Sequence, residues 1–158
     1  MNTVELLQFS LGAAFDILGQ VTAGLTQEQA DWRPPGMANS ITSVYSHILT
    51  YVDYYVRTYF VAGQPQPQTV ESRPDELWLR DVQADLSELH AYADQVRNRT
   101  QGWLSSLAPK DLERRELTTA GEVNVGQAVA IFLIWHINAH CGEIAALKGC
   151  QSLKGYPW

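Results

Sequence analysis

The chain has 158 residues, the size of one ordinary domain, and we therefore predict a single domain over residues 1–158. Hydrophobic residues make up 46% of the chain and charged residues only 18%, a balance that excludes an intrinsically disordered protein. The net charge is −6 and no basic cluster extends beyond Arg114 and Arg115, so neither nucleic acid nor an anionic membrane surface is expected as the main partner.

The lengths of the apolar runs and the number of cysteines indicate the cellular compartment. The longest uninterrupted apolar run, residues 128–135, has eight residues, whereas a membrane-spanning helix needs about 20. The first five residues lack the basic start of a secretory signal. Two cysteines, Cys141 and Cys150, are too few for a disulfide framework. We predict no transmembrane helix, a cytoplasmic location and reduced thiols.

The first half of the chain contains two predicted helices. A first helix over about residues 2–22 is indicated by apolar residues at steps of three and four, namely Val4, Leu7, Leu11, Ala14, Leu18 and Val21. Gly24 follows it as a stop signal, and Thr26 is expected to cap one short turn. After the proline-containing linker 32–36, Ser40 caps a second helix over about residues 41–62, which Gly63 ends.

Two further helices are predicted in the second half. Beyond the proline-spaced linker 64–68, start signals at Ser72 and Pro74 open a third helix over about residues 74–107. Residues 108–123 form a polar connection, within which 116–124 can form a short extended piece, and a fourth helix runs over about 125–148 to Gly149. Four amphipathic helices with modest linkers predict an all-α fold, a four-helix bundle.

The fourth helix carries a histidine pair. His136 and His140 lie four residues apart, so both imidazoles are on one helical face and can grip one metal ion. Glu143 falls on the same otherwise apolar stripe, so all three side chains are expected to point into the bundle. Because buried polar groups need partners, either an internal hydrogen-bond network or a metal site explains them. His90, in the third helix, has no partner at a useful spacing and is interpreted as a surface histidine.

The second helix offers a third candidate, His47, which shares a face with Tyr51 and Tyr54. It lies at the margin between a polar sector and the core, so it is either a core-edge histidine or a third ligand. Ile137, directly after His136, excludes the zincin motif, and no Glu-x-x-His pair of a di-iron bundle occurs.

Taken in order, these residues resemble the DinB/YfiT-like family of proposed metalloenzymes. The resemblance runs from the linker around Trp32 to the C-terminus and rests on Ser40-Ile41, His47, His136-x-x-x-His140-x-Gly142-Glu143-Ile144, Leu147-Lys148-Gly149 and Gly155-x-Pro157. It implies a four-helix bundle in which His47, His136 and His140 bind one divalent metal, nickel or zinc. It also implies that the protein is a homodimer, as many members are, and that a low-molecular-weight thiol such as bacillithiol or mycothiol can be a cosubstrate.

Three imidazoles around a divalent ion leave a coordination position open, as in catalytic zinc sites. Water or a thiol held there is ionised, which supports either hydrolysis or thiol transfer to a small-molecule substrate. Glu143 is then a nearby base or an acceptor that orients an imidazole. Tyr51 and Tyr54 either donate to the substrate or are ordinary core aromatics. The alternative is a non-catalytic bundle with a degenerate site, which binds metal, a small ligand or a partner protein.

Helices two and four are apolar over more of their circumference than one bundle core requires. We therefore predict an isologous dimer through their outer faces, unless the linkers cover them. The residues concerned are Val44, Tyr45, Ile48, Leu49, Val52, Tyr55, Val56, Tyr59 and Phe60 on helix two, and Ile131, Ile134 and Trp135 on helix four.

Overall fold

Helices dominate the structure, a computed structural model that describes residues 1–57, 84–118, 121–156 and 158. The first four helices are α1 (Thr3–Thr22), α2 (Gln27–Asp31), α3 (Ile41–Tyr55) and α4 (Leu86–Ser105). A 3₁₀ turn (Pro109–Glu113) and two strands, β1 (Arg115–Thr118) and β2 (Gly121–Asn124), follow. The chain then continues as one long helix made of α5 (Val125–Ala128), a π-helical segment (Val129–Trp135) and α6 (His136–Cys150). The predicted all-α fold class is confirmed.

Side-chain caps fix where the helices begin. Asn2 and Glu5 form a capping box at α1, and the Ser40 hydroxyl accepts a hydrogen bond from the backbone amide of Ser43 at α3. Thr26 caps α2, as the sequence predicts. Each cap satisfies amide groups that have no partner within the helix.

Several predicted boundaries differ from the observed ones. The third predicted helix was expected to start at residue 74, but Ala84 and Asp85 are not helical, because the Asp85 carboxylate caps α4 instead. The fourth helix does not end at Gly149, which lies inside α6. The expected extended piece is an antiparallel hairpin that pairs Arg115 with Asn124. The predictions for residues 58–83, which include the helix end at Gly63 and the proline-spaced linker, concern a part of the chain outside the described residues.

Four helices enclose the core. α1 packs against α4 and α6, and α3 packs against the same two helices. The C-terminal ends of α1 and α6 lie side by side, because the buried Lys148 donates a hydrogen bond from Nζ to the Val21 carbonyl at 2.9 Å. A cation close to the C-terminal carbonyls of a helix also interacts favourably with the helix dipole. α1 and α6 therefore run parallel, with α3 on the other side of α6.

A buried carboxylate joins α3 to α4. Asp53 accepts a hydrogen bond from the Tyr92 hydroxyl at 3.1 Å and pairs with Arg57 at 2.8 Å and with Arg99. Because a buried charge is costly unless it is paired, this cluster fixes one arrangement of the two helices.

The described part of the second predicted helix has no exposed apolar outer face of the kind that the dimer prediction requires. Val44, Tyr45, Ile48, Leu49, Val52, Tyr55 and Val56 are all buried within one chain. The reason is that α3 contacts α4 on one side and α6 on another. On the last helix Ile131 and Trp135 are 46% and 65% exposed, whereas Ile134 is partly buried. The dimer stays a prediction, and Ile131 and Trp135 of the π-helical segment are exposed apolar side chains that can contribute to it.

Two helical segments, Thr3–Thr22 and Val125–Cys150, have the length and composition of a membrane span. Core helices of water-soluble proteins have the same properties, and both segments pack inside this bundle. They are therefore weak evidence for a membrane.

Candidate metal centre

Three histidines from two helices converge between α3 and α6. His47 lies in the second turn of α3, and His136 and His140 lie in the first two turns of α6. Each offers a nitrogen within 4.8 Å of the nitrogens of the other two. The ring centroid of His47 is 5.0 Å from each of the other two, which are 4.6 Å apart. These distances are short enough for all three imidazoles to share one ion.

Burial keeps two of the three rings uncharged. His47 is 2% exposed and His136 is 7% exposed. Burial, with a smaller effect of His140, lowers the pKa of His47 to about 4 and that of His136 to about 2. Both rings are therefore neutral at pH 7, and neutral imidazole is the form that binds metals.

One nitrogen of the cluster lacks a hydrogen bond. Nε2 of His136 is buried, and no atom of the described residues lies within hydrogen-bonding reach of it. A buried polar atom in this state costs free energy unless a ligand binds it. The donor set, three imidazoles of which His136 has an unsatisfied nitrogen, fits a divalent transition-metal ion.

A carboxylate holds the third ring. Nδ1 of His140 lies 2.9 Å from Oε2 of Glu143, so the imidazole donates to the carboxylate. This contact makes Nδ1 the protonated nitrogen and leaves Nε2 with its lone pair, as in many metal sites. The geometry fits the role of an acceptor that orients an imidazole, one of the two roles considered for Glu143.

The two tyrosines lie differently. The ring of Tyr51 stacks on the ring of His136, with centroids 3.8 Å apart and an angle of 12° between the planes. It also contacts His47 at 5.6 Å. The ring of Tyr54 packs edge-on against Tyr55 at 5.8 Å. Tyr51 is thus in direct contact with the histidine cluster, while Tyr54 packs against a core aromatic.

The π-helical segment immediately before His136 was not predicted. Five buried apolar residues follow one another at constant intervals of four residues, and we call them the apolar column: Val125, Val129, Leu133, Ile137 and Cys141. In a regular α-helix each residue of this column would lie about 40° further around the helix axis than the one before it. The wider turns of a π-helix reduce that drift, so one face stays inward on both sides of His136. This strict spacing is the sequence signal that would have indicated the segment.

Two other residues have positions of interest. His90 was interpreted as a surface histidine, and it is partly exposed, but its Nδ1 lies 3.2 Å from the Tyr45 hydroxyl. The sequence did not indicate this contact, because it forms only where Tyr45 reaches from α3 across to α4. Cys141 is fully buried, and burial raises the pKa of its thiol to about 12, so it is a core side chain and not a nucleophile.

Comparison with known proteins agrees with this architecture. A protein of known structure from Streptococcus pneumoniae shares 12% identity with a TM-score of 0.74, over 94% of this chain and 92% of its own. A conserved protein from Enterococcus faecalis shares 16% identity with a TM-score of 0.67, over 94% and 96%. At such identities the likeness shows the fold alone. No curated protein matches the sequence significantly. The sequence model of the DinB superfamily matches residues 11–144, which include all three clustered histidines, and the chain therefore belongs to the DinB superfamily.

Proposed function

We propose that this protein is a metal-dependent enzyme that binds one divalent ion through His47, His136 and His140. The observation that carries the proposal is the cluster of three imidazoles with an unsatisfied, buried nitrogen on His136. Membership of the DinB superfamily supports it. Nickel and zinc are the proposed metals, because both accept imidazole ligands readily.

Two of the three ligands proposed for the ion, His47 and His136, carry no charge of their own at pH 7. A divalent ion held in this way supplies a Lewis acid that lowers the pKa of a coordinated water or thiol. The Glu143 carboxylate fixes the ring of His140 through its hydrogen bond at 2.9 Å. Tyr51, stacked on His136, restricts the rotation of that ring. The chain itself thereby holds the donor atoms in place before any ligand arrives.

We propose a small electrophile as substrate and a low-molecular-weight thiol as its cosubstrate, with water as the other candidate nucleophile. Tyr51 and Tyr54 are partly exposed, and we assign their hydroxyls to hydrogen bonds with the substrate. Cys141 and Cys150 are free thiols, which fits a reducing compartment such as the cytoplasm.

Metal content provides the first test. Protein purified without a His tag should contain, or take up, about one equivalent of Ni²⁺ or Zn²⁺, as measured by elemental analysis and titration calorimetry. His136→Ala should lose this binding, whereas His90→Ala, which removes a histidine outside the cluster, should keep it. Wild-type protein that holds no metal and gains no thermal stability from added metal would refute the proposal.

Turnover provides the second test. Chlorodinitrobenzene is offered with several thiols, and a panel of esters and amides is offered without them. Metal-dependent conjugation supports the transferase reaction, and metal-dependent cleavage supports hydrolysis. Metal binding without turnover of any substrate would favour the alternative of a non-catalytic binding protein.

A further inference from the structure

A recess lies on the side of α3 that faces away from the histidine cluster. It has a volume of about 210 Å³ and lies between α1 and α4, with α3 as its floor. Its lining consists of Phe15, Leu18, Gly19, Tyr45, His90, Ala93, Asp94 and Arg97. Tyr45 precedes His47 by two residues, so the two side chains leave α3 about 200° apart. The recess and the candidate metal centre are therefore separate features.

One hydrogen bond joins two of the groups that line the recess. The Tyr45 hydroxyl lies 3.2 Å from Nδ1 of His90, so the contact links α3 to α4. Burial raises the pKa of Tyr45 to about 12, so its hydroxyl stays neutral at pH 7. The phenol and the imidazole are therefore uncharged or paired parts of the lining, and the formal charges of the recess come from other side chains.

The lining contains two charged side chains, Arg97 and Asp94. Arg97 pairs with Asp16, outside the lining, at 2.8 Å, so its positive charge is already compensated. Asp94 lies one helical turn after His90 and is exposed, and within residues 1–57, 84–118 and 121–156 no ion pair involves it. The lining therefore presents a carboxylate that forms no ion pair with the described residues, beside the aromatic side chains of Phe15 and Tyr45.

We infer that this recess binds a small organic ammonium compound. The protonated amine contacts Asp94, and the apolar body packs against Phe15 and Tyr45, where aromatic faces also attract a cation. The volume of about 210 Å³ is smaller than the roughly 300–1,000 Å³ of sites for drug-sized ligands. The ligand is accordingly a single-ring or short-chain amine.

Substitution of Gly19 by a larger residue fills the recess directly. A Cβ atom built on Gly19 meets nothing within 4 Å, so a leucine side chain there occupies the space that a ligand needs. Gly102 in α4 is a matched control, because it is also helical, exposed and without a neighbour within 4 Å, and it does not line the recess. Both Gly→Leu changes favour the helix, so neither threatens folding.

The experiment measures binding of 2-phenylethylamine to the full chain by NMR titration, with 2-phenylethanol and 3-phenylpropionate as neutral and anionic analogues. We expect saturable amine binding that is at least ten-fold tighter than binding of either analogue. Gly19→Leu should abolish it and Gly102→Leu should not. Asp94→Asn should weaken it at least ten-fold, whereas Glu88→Gln, which removes an exposed acidic charge elsewhere on α4, should leave it unchanged.

Three results would overturn the inference. One is the absence of saturable amine binding to the wild-type chain. Another is equal affinity for the amine and its two analogues, since Asp94 would then play no part. The third is amine binding that survives both Gly19→Leu and Asp94→Asn, because the amine would then bind elsewhere on this acidic protein.

Discussion

Replacing Glu143 with alanine should weaken metal binding and leave the fold intact. The carboxylate accepts a hydrogen bond from Nδ1 of His140 at 2.9 Å, and its side chain is 36% exposed. Without it, the ring of His140 is free to rotate and to place its proton on Nε2, where a lone pair is needed for the ion. A partly exposed carboxylate contributes little to the core, so the metal-free protein should lose at most about 0.5 kcal/mol of stability.

The size of the effect follows from two relations. Removing a group that orients a metal-bound histidine typically costs about 10- to 100-fold in affinity, or about 1.4–2.7 kcal/mol. Bound metal stabilises the folded state by mass action, so well above the dissociation constants the variant loses that same amount of stabilisation. In a chain of 158 residues, 1 kcal/mol corresponds to about 2–4 °C in Tm. The rise in Tm on adding metal should therefore be smaller by about 3–11 °C.

Calorimetric melting with and without Ni²⁺ or Zn²⁺ measures this difference, and titration calorimetry gives the affinities. Glu143→Gln keeps an acceptor without its charge, and charge-assisted hydrogen bonds are about twice as strong as neutral ones, so this variant should fall between wild type and Glu143→Ala. Equal affinities for all three proteins would show that the contact does not orient His140. A metal-free variant that melts far below the metal-free wild type would show instead that Glu143 supports the fold.

Three further predictions concern the fold and its assembly. Ellman's reagent should titrate one thiol per native chain, the exposed Cys150, and a second only in denaturant, because Cys141 is buried and its pKa is raised to about 12; two fast thiols would contradict that burial. Leu133→Ala, at a fully buried position, should cost about 2–5 kcal/mol in denaturant unfolding, and a loss under 1 kcal/mol would mean that this part of the core is loosely packed. Light scattering should give a dimer, twice the 17.7 kDa chain, because Ile131 and Trp135 are exposed, and a monomer at micromolar concentration would refute it.

Features that depend on local sequence were predicted well. The start of α1, the cap at Ser40 and the extended pieces before α5 follow from periodicity, capping chemistry and turn residues within a few positions. The start of α4 was misplaced because the sequence holds competing start signals, one at Ser72 and Pro74 and another at Asp85. Local signals alone do not decide between them.

Features that depend on which helices are neighbours were harder to predict. The spacing of His136 and His140 identified a pair, but the sequence pattern left His47 open, because its role depends on α3 lying beside α6. The burial of the apolar residues of α3 and the contact between Tyr45 and His90 likewise require knowing that α4 packs on the far side. Such contacts join residues more than forty positions apart, which periodicity does not register.

The number of residues in the π-helical segment affects the direction in which His136 and His140 face. His136 follows directly on Val129–Trp135, and Ala130 within that segment is small and exposed. Deleting Ala130 would leave every side chain of the cluster unaltered in identity, yet it would turn the part of the helix before it by about 100° relative to the part after it. Either the apolar column that starts at Val125 or the pair of histidines would then leave the interior. The length of the π-helical segment thus determines whether the two histidines face α3, independently of the chemistry of the ligands.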